Sequence, residues 1–276
     1  MAARLAAAGC VAPEEEAAEL MAFAAGDREL LAALVERRTN GEPLAWLVGG
    51  VTFCGLRVRV DPGVYVPRWQ TEPLARRASQ LLPAGGVAVD LCTGAGAIAC
   101  VLAASVPSAT VVATDVDPAA VACARANRVD ARLGHLDAPL PAALLGAVDV
   151  LTAVVPYVPT EGLPFLPRDV LAYEPRQALD GGDGGLRLLS AVVTRSRRWL
   201  RPGGWLLLEL GGDQAPTVAA LMESLGFGEI SVLQDDDGDD RAIAACVSVG
   251  APARPRGSPY RYSDGSTAGS WSASAM

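Results

Sequence analysis

The chain has 276 residues, of which 51% are hydrophobic, and carries 31 Asp and Glu against 23 Lys and Arg, a formal net charge of −8. A phosphate-tracking surface needs clustered cations, so this balance argues against nucleic-acid binding. Mean hydropathy is +0.27, yet no apolar run reaches the ~18 residues of a membrane span, and Glu14, Glu15 and Glu16 interrupt any signal-peptide core, so a cytoplasmic protein away from membranes is expected.

Every cation is Arg; without Lys there is no Schiff base and no P-loop. Cys10, Cys54, Cys92, Cys100, Cys123 and Cys246 form no CxxC pair, and His135 is the single histidine. No zinc site can be assembled at standard spacing, and no metal is expected.

Residues 1–48 place Ala17, Leu20, Met21, Ala24, Leu30, Leu31 and Leu34 at helical spacing, with Pro13 and three Glu suited to a helix first turn. They read as a helical cap, closed by the turn signal Asn40-Gly41. Residues 49–70 read as a β-hairpin linker: 51–60 alternate as a half-buried strand, Asp61-Pro62-Gly63 turns the chain, and Val64-Tyr65-Val66 returns it. From residue 71 to 250 helices and strands alternate. Helices are expected over 74–82 and 118–128, and short apolar strands over 87–91, 110–114, 148–154, 205–210 and 243–249. Such alternation predicts an α/β fold with a doubly wound, Rossmann-like sheet. Residues 251–276, rich in Pro, Gly and Ser and without periodicity, read as a disordered tail.

The stretch Val87-Ala88-Val89-Asp90-Leu91-Cys92-Thr93-Gly94-Ala95-Gly96-Ala97 carries the most chemistry. A strand ends in an acid, turns through two glycines and opens a helix, whose N-terminal amides face the crevice at the strand's carboxyl end. The next strand ends at Asp115, where a carboxylate accepts the hydroxyls of an adenosine ribose. Gly94-Ala95-Gly96-Ala97-Ile98-Ala99 also fits the loose dinucleotide pattern GxGxxA, which keeps an NAD-dependent oxidoreductase open. Asp90 separates the two ligands. A carboxylate repels a diphosphate and attracts an ammonium, and S-adenosylmethionine carries both an ammonium and a sulfonium. Gly134-His135-Leu136-Asp137 is expected to end the third strand and to bring Asp137 near an adenine amino group.

Taken together, these segments resemble the release-factor (protein) glutamine N5-methyltransferases of the HemK/PrmC type. The resemblance runs through Arg38, Gly41-Glu42-Pro43-Leu44, Phe53-Cys54-Gly55-Leu56, Val66-Pro67-Arg68-Trp69-Gln70-Thr71-Glu72, the loop from Asp90 to Ala97, Asp115 and Val155-Pro156-Tyr157. It continues through Tyr173-Glu174-Pro175-Arg176, Gly181-Gly182, Pro202-Gly203-Gly204, Glu209 and Gln214. The sequence VPYVPT, standing where the family has NPPY, is closest to an actinobacterial subgroup. The resemblance implies a class I S-adenosylmethionine-dependent methyltransferase over 71–250, preceded by a substrate-reading cap and hairpin linker. Its cofactor site would comprise Asp90, Cys92, Thr93, Gly94, Ala95, Gly96, Asp115 and Asp137. Its catalytic and substrate-binding segment would be Val154, Val155, Pro156 and Tyr157, and its partner a protein such as a peptide chain release factor.

Val154 stands where the family has Asn, and valine accepts no amide hydrogen bond; one buried donor left unpaired costs about 1–3 kcal/mol. Slow transfer, a different acceptor and a cofactor-binding pseudoenzyme therefore stand as alternatives. Trp69 and Gln70 replace a common proline and acid, and Trp69 either walls the acceptor site or packs on the hairpin. Glu174 and Arg176 either order a lid or form a surface ion pair. Glu209 is a candidate wall of the acceptor pocket, and the acids 235–237 and 239–240 read as a solvated turn.

Overall fold

In the computed structural model, which describes residues 1–235 and 238–248, the N-terminal segment forms α1 (Ala2–Ala7), α2 (Pro13–Ala24), α3 (Arg28–Thr39) and the single turn α4 (Leu44–Leu47). Pro13 opens α2 and the Asp27 carboxylate caps α3 by accepting from the Glu29 and Leu30 amides at 3.0 Å. These helices bury Leu5, Leu20, Leu34 and Val35 against Leu47 and Val48, a small apolar centre of their own. Within it the Arg38 guanidinium meets the buried Glu16 carboxylate at 2.6 Å, so the paired charges cross-link α2 to α3.

The hairpin is shorter than the alternation predicts. β1 (Val51–Phe53) and β2 (Leu56–Val58) pair as Val51↔Val58 and Phe53↔Leu56, and the chain reverses at Cys54 (φ 49°) and Gly55 (φ 78°). Two consecutive positive φ values make a tight turn of the kind favoured between twisted strands. Val64-Tyr65-Val66 is not the return strand. Val64 and Val66 instead bury against Trp46 and Leu74, and the Val64 carbonyl accepts the Trp46 indole N–H at 3.0 Å.

A 3-10 turn leads into α5 (Glu72–Leu81), after which the chain alternates through β3 (Val87–Leu91), α6 (Ala97–Ser105), β4 (Thr110–Asp115), α7 (Pro118–Ala126), β5 (Asp130–Leu133) and β6 (Val148–Ala153). The short β7 (Val158–Pro159), α8 (Arg168–Tyr173) and β8 (Asp180–Gly182) form an excursion, and β7 pairs with β8. The chain then completes the sheet with α9 (Leu186–Ser196), β9 (Leu200–Glu209), α10 (Gln214–Ser224), β10 (Phe227–Gln234) and β11 (Asp240–Val247). The seven strands lie in the order β10-β11-β9-β6-β3-β4-β5. β5, β4, β3, β6 and β9 are parallel, and β11 is antiparallel to both neighbours. Every residue of β6 is buried, as expected of a strand covered on both faces. The strand order reverses between β3 and β6, which opens a crevice at their carboxyl ends.

This is the α/β Rossmann-like architecture expected from the alternation. β10 was not among the expected strands; after buried Phe227 it carries only half-buried and exposed positions, at the sheet edge. The third strand ends at Leu133 rather than at Asp137, because Gly134 (φ 158°) packs against the Pro139 ring and the chain bends there. The expected tail at 251–276 lies outside the described residues, as do Asp236 and Asp237.

Candidate functional site

The crevice at the switch point has an empty volume of about 950 Å³, including the open solvent at its mouth. Cys92 and Gly94 from the loop after β3, Asp115 and Val116 from the end of β4, His135 and Leu136 beyond β5, and Val154 to Val158 after β6 line it. Tyr65, Pro175, Gln177 and Ala178 close the far side. None of these side chains beyond Asp115 and Tyr157 is individually diagnostic. Their convergence depends on the parallel strands all ending on one edge.

Asp115 is placed to present a carboxylate. Its Oδ2 accepts the Gly94 amide at 2.8 Å and its Oδ1 the Asp117 amide at 2.9 Å. Each oxygen keeps a second lone pair. Burial raises its pKa and these backbone hydrogen bonds work against the rise. The Asp117 side chain turns back to cap α7 through the Ala119 amide at 2.8 Å.

Asp90 does not stand on the crevice wall. Its side chain, 1% exposed, lies under the glycine loop, with Thr93 Oγ1 donating at 2.6 Å and Thr152 Oγ1 at 2.7 Å. Burial lifts its pKa to about 6, against the lowering effect of those two hydroxyls. Its direct role is to tie the loop to β6, not to greet the ammonium as the sequence argument supposed. Thr93 and Ala95 are likewise buried supports, the Ala95 carbonyl accepting from Asn127 at 2.8 Å. Gly96, at φ 85°, precedes α6, and a side chain there would press on Val129 and Ala124 at about 3 Å. Cys92 and Gly94 are the loop residues that reach the cavity.

The wall of the crevice fits S-adenosylmethionine on its own chemistry. Among the described residues its charged side chains are Asp115 and Asp117, with no Arg, so a diphosphate would meet only like charge. The Asp115 carboxylate lines the crevice, and Val116, Ala120 and Leu136 offer apolar surface for a purine.

The segment Val154-Val155-Pro156-Tyr157 leaves the end of β6 and is held from beneath. Gln214, at the start of α10, donates Nε2 to the carbonyls of Tyr157 (2.9 Å) and Gly184 (3.0 Å), while its Oε1 accepts the Gly211 amide at 3.1 Å. Glycines 181 and 185 lie directly against the Pro156–Tyr157 backbone: a Cβ on Gly185 would sit 1.9 Å from the Tyr157 carbonyl oxygen. The Tyr157 hydroxyl donates to Glu209 Oε1 at 3.0 Å. Burial, followed by the Glu209 charge, drives the Tyr157 pKa well above its usual value. The Tyr65 hydroxyl is pushed up to about 12, chiefly by burial.

Sequence reasoning did not single out Tyr65, and it gave Gln214 and the glycines no role. Their signals were present: a glutamine opening a helix after Gly211-Gly212, and a glycine-dense turn. The contact that gives them meaning is not local.

Other expectations sort differently. Asp137 is buried away from the crevice. Its carboxylate accepts from Arg195 (2.9 Å), Arg198 and the Trp199 indole N–H (2.8 Å), so it fastens the bend after β5 to α9 and is not an adenine partner. Burial would raise its pKa, but the Trp199, Arg195 and Arg198 hydrogen bonds hold it below the usual range. His135 and Leu136, its neighbours, line the cavity instead. Glu174 and Arg176 do not pair with each other. Buried Glu174 binds Arg68 and accepts the Val66 amide at 3.1 Å, whereas Arg176 pairs with Asp180 at 3.1 Å. Trp69 neither packs on the hairpin nor is buried in the site, being 67% exposed. Asp235 pairs with Arg241 at 2.6 Å. Among the described residues there is no group of three or more side chains able to hold a metal ion, and no helix is long and apolar enough to cross a membrane.

Comparison with known proteins gives concordant matches. The profile of the Methyltransferase small domain family matches residues 58–138. A release factor glutamine methyltransferase of Geobacter sulfurreducens is 38% identical over 220 residues, covering 78% of this chain and 76% of the relative. The protein of that name from Mycolicibacterium smegmatis is 37% identical over 265 residues, covering 88% of this chain and 94% of the relative. Among solved structures, a chain from the E. cuniculi Mtq2–Trm112 complex, responsible for methylation of the eRF1 translation termination factor, superposes with a TM-score of 0.50. It is 22% identical and covers 68% of this chain and 99% of that one; at that identity it shows a shared fold.

Proposed function

Because the chain belongs to the release factor glutamine methyltransferase family, we propose that it transfers a methyl group from S-adenosylmethionine to the side-chain amide nitrogen of a glutamine in a peptide chain release factor. The observation that carries this reading is the Val155-Pro156-Tyr157 segment lining a crevice whose charged wall groups are carboxylates. Bound there, S-adenosylmethionine supplies an electrophilic methyl on a positively charged sulfur. Asp115 would hold the ribose hydroxyls, with Gly94 and Cys92 bounding the amino-acid end and Leu136 and Val116 bounding the adenine. Asp90, Thr93, Ala95 and Gly96 would keep the loop in shape.

On the acceptor side, the residue-independent Val155 carbonyl would accept one amide proton, and Tyr157 would pack on the flat amide group. Held in this way, the nitrogen is positioned for attack and its freedom is spent before the reaction. The α1–α4 segment would read the partner protein, in the cytoplasm where release factors act. VPYVPT in place of NPPY would mark the actinobacterial subgroup.

Val154 favours one rival reading, cofactor binding without transfer. Calorimetry with S-adenosylmethionine, followed by transfer of a labelled methyl to purified bacterial release factors, separates the two. Binding together with label on a glutamine supports the proposal; binding with no label on any release factor overturns it.

A further inference from the structure

Glu209 is an unusual group to find in the middle of this molecule. It ends β9, is 3% exposed, and uses only one of its carboxylate oxygens. Oε1 accepts the Tyr157 hydroxyl, whereas Oε2 is buried with no hydrogen bond of regular geometry; Thr71 also approaches the carboxylate and acts to lower its pKa. A buried carboxylate oxygen without a donor is costly, and native structures keep such atoms where a ligand completes them.

The sheet register places that oxygen. Ala153 of β6 pairs with Leu208 of β9, so the next residues along the two parallel strands, Val154 and Glu209, are lateral neighbours. Side chains alternate across a strand. Ala153 and Leu208 enter the core on one face, while Leu207 and Val154 pack on the other; Glu209 therefore shares the face of Val154. Tyr157, whose hydroxyl Glu209 accepts, and Val154 both line the crevice, so Glu209 stands directly behind that lining.

We infer that Glu209 Oε2 accepts the substrate amide N–H that the asparagine of the family motif would otherwise accept, so that the acceptor lost at Val154 is supplied by the adjacent strand. The inference rests on the proposed amide substrate. In the reaction the nitrogen gains one methyl and gives up one proton, which becomes acidic once the methyl is attached and leaves to water; Glu209 Oε2 orients the N–H as its acceptor. Tyr157, donating to Oε1, fixes the carboxylate plane so that the second oxygen keeps its direction. Burial raises the Glu209 pKa, against the lowering effect of Thr71, Tyr157, Arg241 and Arg68.

Four proteins test this: wild type, Glu209→Gln, Val154→Asn and the double variant. Each is assayed for transfer to a release factor and, by calorimetry, for binding peptides that copy the release-factor loop with glutamine or with leucine at the acceptor position. Glu209→Gln turns the free acceptor into a donor. Its expected signature is a loss of transfer of about 10²–10³-fold, together with at least a ~10-fold fall in preference for glutamine over leucine, as expected where a site hydrogen-bonds its substrate. S-adenosylmethionine affinity stays unchanged. In the double variant the asparagine restores most of both losses, a rescue that a merely structural role would not produce.

Transfer by Glu209→Gln within ~3-fold of wild type, well short of the one-donor loss, overturns the inference, as does a loss that Val154→Asn fails to rescue. A wild type that methylates no release factor overturns the parent reading instead, and the glutamine preference of the peptides then decides on Glu209 separately. If Glu209→Gln does not fold, Glu209→Asp, which withdraws the carboxylate by one methylene, must show the same loss of glutamine preference.

Discussion

The sharpest test of the braced acceptor segment is Gly185→Ala, set beside Gly184→Ala. Both glycines have positive φ, 56° at Gly184 and 68° at Gly185, so alanine at either costs about 1–2 kcal/mol of backbone strain. The two sites differ in what a methyl would meet. At Gly184 the nearest atom is Leu186 Cδ1 at 3.9 Å, an ordinary contact. At Gly185 the Tyr157 carbonyl oxygen is 1.9 Å away and Gln214 Nε2 2.4 Å. Reaching even a 3.0 Å separation needs 3.0 − 1.9 = 1.1 Å of retreat by the Tyr157 backbone. A displacement of about 1 Å in a positioning element is worth about 10² in rate. Gly184→Ala should therefore lower the melting temperature by several degrees, at about 2–4 °C per kcal/mol for a chain of this size, with kcat nearly preserved. Gly185→Ala should lose about 100-fold in kcat as well, with the affinity for S-adenosylmethionine retained because the Asp115 side of the crevice is untouched. Melting curves, calorimetry and single-turnover transfer read the three quantities. Equal kcat values for the two variants would refute the claim that contact, not strain, positions Tyr157.

Three further outcomes follow from the site. Asp90 has a folded pKa raised by burial from 3.8 to about 6. Its contribution to stability is thus full below pH 3.8 and lost as pH rises to about 6, a difference of about 3 kcal/mol. Asp90→Asn should accordingly be more stable than the ligand-free wild type at pH 7–8 and no more stable at pH 4, as urea titrations at the two pH values would reveal. Asp115→Ala should weaken S-adenosylmethionine binding by on the order of 10–100-fold, the loss of charged hydrogen bonds worth ~1.5–3 kcal/mol; an unchanged Kd would remove Asp115 from the ribose. Asp137→Ala should leave that Kd unchanged while lowering stability by about 1–3 kcal/mol, since the buried Trp199 indole loses its acceptor. A large rise in Kd without loss of stability would return Asp137 to the cofactor site.

What the sequence determined by itself was local and periodic. Runs such as Val148 to Ala153, apolar but for Asp149 and Thr152, read as strands covered on both faces, and their alternation with helices specifies the doubly wound sheet. Asp115 and the Gly94 loop were legible for the same reason, since the end of a parallel strand is where such a fold binds ligands. The hairpin was misjudged in length because alternation over residues 51–60 says nothing of where two positive φ values will turn the chain, and Cys54 is not a residue that advertises one.

Tertiary structure decided which acids face the crevice. Asp90 and Asp137 read as cofactor carboxylates along the chain, but Thr93 and Thr152 claim the first, and Arg195, Arg198 and Trp199 the second. Most of those partners lie about sixty residues away, and no spacing rule reaches so far. The same holds for Gln214 under Tyr157 and for Glu209 beside Val154. Each follows from the lateral register of strands that are remote in sequence, a property of the assembled sheet that no single segment encodes.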